Sequence, residues 1–318
     1  MADKSEMSAA SIVSVGGTVR MSRPLPRLPL SMQTFRLVPT DQIAPDALHT
    51  AFVRAFADYL IGPFNLSIDQ WPGFVQRQGV DLRLGRAAVD ADGRVLAFAL
   101  VAPRPSLKRW RLGTMGAVPQ ARGGGAAVQL LQDFVHRGRE AGLKALELEV
   151  FVQNERAARL YRRHGFVERH ALHGWQRVAD AGEPCSLDGL ACTQEEALAW
   201  LREAEVSIDD LPLQVCADVV GVLTVLWTAW RRGSAQLVFT GDGKSGVLVR
   251  SLIDRHPSQQ DAKTLVDALS AAYPGAKVSV PPLQRGDLGG EALRRCGFAL
   301  EPLHQALMRL DLLPGSGA

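Results

Sequence analysis

The residues best placed to do chemistry form the run Val118-Pro-Gln-Ala-Arg122-Gly123-Gly124-Gly125-Ala126-Ala127, which ends where the amphipathic stretch Val128–Arg139 begins. Glycine accepts positive φ and lets backbone approach a ligand closely, and the first amides of a helix have no partner inside the helix. A turn of this make-up offers several N–H groups at the positive end of a helix dipole, which suits an anion such as a pyrophosphate. The same run also serves as a plain tight connection, so its meaning depends on its surroundings. Two other glycine motifs do not fit. Val128 stands where G-x-G-x-x-G requires its last glycine, and no G-K-[ST] follows.

The elements that must position this turn are legible from periodicity and turn residues. Strands are predicted at Phe35–Val38, Arg86–Val89, Arg94–Val101, Leu112–Val118, Ala145–Val152, Phe166–His170 and Trp175–Val178. Asp90–Gly93 turns the second of these into the third as a hairpin. Helices are predicted over Pro45–Leu60, from a Ser67 cap to about Gln78, over Val128–Arg139, and from Asn154 to the closing glycine Gly165. Alternation along Ala145–Val152 puts Leu146, Leu148 and Val150 on one face and Glu147 and Glu149 on the other.

Strand, anion turn, helix, strand, and a short helix ending in Tyr-x-x-x-Gly-Phe is an order that closely resembles the GNAT N-acetyltransferase superfamily over Leu112–Val178. The resemblance rests on Pro119, Arg122, Gly125 and Ala127 (the R-x-x-G-x-A signature), then Asn154, Ala157, Leu160, Tyr161, Gly165 and Phe166. Ala117 departs from the valine usual at the end of the family's splayed fourth strand. The resemblance implies an α/β (α+β) domain with a mixed, mostly antiparallel twisted sheet flanked by helices. It implies acetyl-CoA as co-substrate, held by Ala117, Val118, Arg122, Gly123, Gly124, Gly125, Ala126 and Ala127, chiefly through backbone, with Asn154 near the pantetheine. Tyr161 takes the family's usual general-acid position, where a phenol protonates the departing thiolate.

Glu149 lies five residues before Asn154, where the resembling ribosomal-protein N-terminal alanine acetyltransferases carry a catalytic glutamate. It can serve as base directly or through water, or ordered water alone can do so. No cysteine lies in the motif segment to carry an acyl group, so direct attack by a primary amine in a ternary complex is expected. A non-catalytic acyl-CoA-binding sensor or scaffold on the same fold is the alternative.

Acceptor recognition is expected from Ala51–Trp71, where Asp58 could pair with a cationic amine and Tyr59 line the pocket. The acceptor is a small-molecule or peptide amine. With 47% apolar residues and no uninterrupted apolar run of spanning length, a soluble, cytoplasmic protein away from membranes is expected. Cys185, Cys192, Cys216 and Cys296 have no C-x-x-C pairing, and the seven histidines form no H-E-x-x-H pattern, so no metal is expected. Net charge is +2 over residues 1–33, +5 over 34–184 and −4 over 185–318. That mild basic bias suits an anionic cofactor and is too small to argue for nucleic acid. Residues 1–33 read as a disordered tail.

The second half repeats the plan in worn form. Ala235–Phe239 and Val247–Ile253 form a hairpin, Gln259–Ala271 is helical, Lys277–Val280 is extended, and Ala292–Phe298 echoes Leu160–Phe166. This predicts tandem GNAT-like domains at 34–180 and 181–318, the second degenerate. Gly286 stands at the position of Asn154 and Leu293 at that of Tyr161, and His256-Pro-Ser-Gln-Gln has no glycine to cradle a phosphate. Such a second domain would cover the acceptor cleft or pair two copies as a homodimer.

Overall fold

The apolar run Val95–Ala102 alternates between two cores. Ala97, Ala99 and Val101 face one, Phe98 and Leu100 the other, so the strand is buried on both sides. Around it the computed structural model, which describes residues 34–178 and 187–312, builds one layer of strands covered by helices. The expectations for the tail 1–33 and for Cys185 fall outside the described residues.

The first half runs β1 (Arg36–Pro39), α1 (Pro45–Ala55), α2 (Trp71–Arg77), β2 (Arg86–Val89), β3 (Val95–Arg104), β4 (Arg109–Ala117), α3 (Ala126–Glu140), β5 (Ala145–Phe151), α4 (Glu155–Arg163) and β6 (Val167–Val178). The second runs β7 (Ala191–Cys192), α5 (Gln194–Ser207), α6 (Ala217–Val220), β8 (Trp227–Arg232), β9 (Ala235–Gly241), β10 (Val247–Asp254), α7 (Gln260–Ala272), β11 (Lys277–Arg285), α8 (Glu291–Arg295) and β12 (Ala299–Asp311). Ser67 caps the entry to α2 through a reciprocal bond with Gln70, and Thr193 and Glu196 do the same for α5.

The strands form one mixed sheet, mostly antiparallel, in the order β1-β2-β3-β4-β5-β12-β6-β11-β10-β9-β8-β7. Among the described residues only β4–β5 and β10–β11 are parallel, each pair joined through a helix, α3 or α7. The expectation of a separate sheet in each half is therefore corrected. The last strand of each half crosses over: β12 lies between β5 and β6, and β6 pairs with β11. The expected pair of short strands at 166–178 is likewise the single strand β6, paired with β12 from Val167 to Gln176 on one side and with β11 from Leu172 to Val178 on the other.

A buried ionic cluster ties the halves together on the Glu147 face of β5. The side chain of Arg104 is wholly buried, 2.5 Å from Glu147, 2.7 Å from Glu205 of α5, and donates to the Leu211 carbonyl at 2.7 Å. Asp210, also buried, meets Arg309 of β12 at 2.6 Å and Arg169 of β6 at 3.0 Å. Burial opposes the Arg104 charge, but Glu147 and Glu205 outweigh it and hold the guanidinium protonated above its ordinary range.

Candidate active site

β4 and β5 pair only from Arg109–Leu112 against Ala145–Leu148. Beyond that β4 stays with β3 and β5 with β12, so the two parallel strands diverge and leave a wedge in the sheet. Gly113 is the extra residue of a β-bulge against Leu100 and Val101, set where the strands part. The wedge opens into a cleft of about 870 Å³ that reaches α1, α2 and α4 and is walled on its far side by the second half, through Gln214, Val219, Leu223 and Leu283.

The glycine turn closes one end of this cleft. Gly123 and Gly125 both adopt positive φ, +88° and +87°, and a Cβ at Gly125 would meet nothing within 4 Å. The N–H groups of Gly123, Gly125, Ala126, Ala127 and Val128 have no acceptor among the described residues. Five unpaired amides at the head of a 15-residue helix, beside open space, can hold a doubly charged phosphate group. Two expected contacts need correction: Val118 is core, with its N–H donated to Leu96, and the Gly124 N–H is spent on Ala121, whereas Ala126, its side chain buried, keeps a free N–H. Ala126 therefore offers backbone alone, while Ala117, Gly123, Gly125 and Ala127 line the cleft.

Arg122 does not aim its side chain at this cradle. Its guanidinium binds both oxygens of Asp58, at 2.5 and 2.6 Å, and donates to the Ala55 carbonyl at 2.9 Å. Asp58 is thereby engaged and is not a free carboxylate for a cationic amine, and the Arg122 N–H, through which its contact with the donor is expected, is spent on the Pro119 carbonyl at 3.3 Å, so both expectations are corrected. The hydrogen bond from Arg122 holds the Asp58 carboxyl below its ordinary value. It also corrects the predicted helix end. α1 stops at Ala55, where Arg122 satisfies a terminal carbonyl, and Asp58 and Tyr59 lie in the following turn. We expect Asp58→Ala to change the KM for any amine acceptor less than about twofold, since exposed ion pairs contribute little. A tenfold rise in steady-state assays would return Asp58 to the acceptor site.

Asn154 caps α4, its Oδ1 accepting from Ala157 N–H at 3.3 Å. Tyr59, Asn154 and Tyr161 line the same cleft. Burial raises the Tyr161 phenol above its ordinary value of 10, with Tyr59 adding to the effect. Burial raises Tyr59 as well, and its contact with Asn154 partly offsets this. Glu149 reaches the cleft from β5, on the face opposite Leu148 and Val150, as the alternation predicts. Its Oε2 lies 2.6 Å from Arg111 of β4, so it enters the cleft as half of a buried ion pair. Arg111, Gln214, Gly113 and Arg77 escaped the sequence reading. A glycine inside an apolar strand signals a bulge and could have drawn attention to Gly113.

The segment from α1 to the end of α4, residues 47–166, matches the model of the acetyltransferase (GNAT) family. The chain carries a GNAT acetyltransferase domain. The GCN5-related N-acetyltransferase of Sphaerobacter thermophilus superposes on 89% of this chain and 98% of its own, with a TM-score of 0.60 at 16% identity. Those of Anabaena variabilis (TM-score 0.58, 15% identity, 87% and 72% covered) and Kribbella flavida (0.57, 14%, 88% and 71%) behave similarly. At such identities the likeness is one of fold, and it runs through both halves. No curated protein matches the sequence significantly.

Outside the matched GNAT segment, the helix after β10 starts differently from α3. Asp254, buried at the end of β10, accepts from Ala262 N–H of α7 at 2.9 Å and from His256 N–H at 2.9 Å. A carboxylate of the chain itself sits where an external anion would go. Leu293, at the position of Tyr161, is fully buried in core. Among the described residues no helix is long and apolar enough to cross a membrane, and no group of three His, Cys, Asp or Glu side chains is placed to hold a metal.

Proposed function

We propose that this chain is an acetyl-CoA-dependent N-acetyltransferase whose first half binds the donor and carries out the transfer. The observation that carries this reading is the alignment, in one cleft, of five unpaired amides at the head of α3, the β4–β5 wedge and the Tyr161 hydroxyl-bearing ring. The cradle fits the group it would hold: Gly125 has open space where a Cβ would stand, and the amides lack partners. Arg156 and Arg163, one face of α4, line the same cleft and suit the remaining phosphate of coenzyme A. The second half, with Asp254 capping α7, is read as a degenerate copy that supplies the far wall of the acceptor site.

Bound acetyl-CoA supplies the thioester. The acceptor amine forms a C–N bond to the acetyl carbon as the C–S bond breaks, and the proton lost by nitrogen ends on sulfur. Glu149, or water held by it, takes that proton from the amine. Tyr161 stays protonated through the working range because its value is raised. Full transfer from so weak an acid to a thiolate of ordinary pKa, near 8.5, runs uphill. Its contribution is therefore a hydrogen bond to the sulfur as negative charge builds there.

A hydrogen bond to a charged group contributes about 1.5–3 kcal/mol, so Tyr161→Phe should lower kcat roughly 10- to 100-fold with little change in KM. The wild-type pH–rate profile should show no alkaline limb from Tyr161 up to about pH 10. A limb lost in the Phe variant would show instead that the phenol ionises within the working range. The reading as a whole is tested by calorimetric titration with acetyl-CoA, then thiol release over a panel of amines. Absence of binding would remove it. Binding without turnover on any amine would favour an acyl-CoA sensor.

A further inference from the structure

Among the described residues, both carboxylates that line the cleft are already engaged, Asp58 by Arg122 and Glu149 by Arg111. Against these two stand seven lining arginines. A polycationic acceptor would enter a positive field and find no uncommitted carboxylate to bind it. The arginines at the α2 end differ in kind from those of α4. Arg77, half-buried at the end of α2, makes no ion pair or side-chain hydrogen bond among the described residues. Gly73, one turn earlier, leaves room for its guanidinium, since a Cβ there would stand 3.2 Å from Nη1.

Two more polar atoms lack partners nearby. Arg111 Nη1 is buried and unbonded although its side chain is only 3% exposed, and Gln214 Oε1 is buried and unbonded on the facing wall. The positions are neighbours. A Cβ on Gly113 would stand 3.2 Å from Arg111 Nη1 and 3.3 Å from Val80, and one on Gly79 would meet Leu213 at 3.0 Å and Val219 at 3.7 Å. Residues 77–80, Arg111 and Gln214 thus surround one end of the cleft. Much of the remaining cleft lining is apolar, with Phe52, Phe56, Phe64 and Phe74 from the first half and Val219 and Leu223 from the second. Buried polar atoms left unpaired within an apolar pocket mark where a ligand's polar groups belong.

We propose that the acceptor is an amine bearing its own carboxylate and an apolar side chain, the chemistry of a free apolar α-amino acid. The inference rests on the N-acetyltransferase reading above. The carboxylate goes to Arg77, within the field of Arg111. The side chain packs among the phenylalanines, and the amine lies toward Gln214 Oε1 and Glu149. Transfer forms the C–N bond to the acetyl carbon, breaks C–S, and moves one nitrogen proton to sulfur. The products are an N-acetyl amino acid and free coenzyme A, with no redox change.

The test uses the full chain, acetyl-CoA and thiol release with leucine, phenylalanine, leucinamide, spermidine and kanamycin. Leucine or phenylalanine should exceed leucinamide, spermidine and kanamycin at least tenfold in kcat/KM. Arg77→Gln, at a partly exposed position, should raise the KM for leucine at least tenfold. It should leave kcat, the KM for acetyl-CoA and the rate with leucinamide unchanged. Equal use of leucinamide, preference for spermidine or kanamycin, or an unaltered KM for leucine in the variant would each overturn the proposal. Turnover of another amine keeps the acetyltransferase reading while ending this one. Failure to bind acetyl-CoA ends both.

Discussion

Gly125→Asp should weaken acetyl-CoA binding at least 100-fold, about 2.7 kcal/mol, while the protein stays folded. Two effects act together. At φ +87° a side chain meets the left-handed penalty, about 1–2 kcal/mol per residue. Its atoms would project into space that is now empty, where five amides await an anion. The aspartate would place its own carboxylate there, the arrangement Asp254 already provides at α7. Gly125→Ala separates the contributions, since it carries the strain without the charge and should weaken binding by about tenfold. Calorimetric titration of both variants, with circular dichroism to confirm folding, checks this. Wild-type affinity in Gly125→Asp would show that the donor does not use the cradle.

Arg104→Met should lower the stability of the whole protein by about 3–5 kcal/mol, because it leaves Glu205 buried without its cation and Glu147 with only Arg109, 3.7 Å away. Burial already raises the Glu147 carboxyl, with Arg104 opposing the shift, so the neutral form would gain further once Arg104 is gone. The triple variant Arg104→Met, Glu147→Leu, Glu205→Leu should regain most of the loss, since an apolar trio of similar volume avoids desolvating charge altogether. Urea denaturation of the three proteins decides the matter. A loss below about 1 kcal/mol in the single variant would mean that water reaches the cluster. The loss should also reduce activity, because Arg104 joins β3 to α5 and so holds the second half's wall against the first.

The parts of the site that the sequence discloses are those held by local chemistry. The glycine turn, the Asn154 cap and the α4 face around Tyr161 are each set by residues within a dozen positions, and the structure keeps them at the predicted spacing. Glu149 was placed on the right face because a strand alternates whatever its neighbours are. Its partner was not foreseen, because Arg111 is 38 residues away and only the parallel register of β4 on β5 brings them together. Asp58 and Arg122 repeat the lesson at a separation of 64 residues. The crossed strands were hidden for a stronger reason. β6 and β12 have similar patterns whether each stays in its own half or changes places, so nothing local distinguishes the two arrangements.

That exchange gives the protein a clock. β5, which carries Glu149, finds its hydrogen-bonding neighbour in β12, where Phe151 pairs with Gln305. During synthesis β5 keeps an open sheet edge until β12 has been made. Long-range pairing of this kind is slow to form and exposed to misassociation while it waits. A fragment ending at residue 180 would contain every motif of the acetyltransferase segment and still lack one strand of its own sheet. A chain without β12 leaves that edge unpaired, and the strand that carries Glu149 is closed in only when β12 arrives.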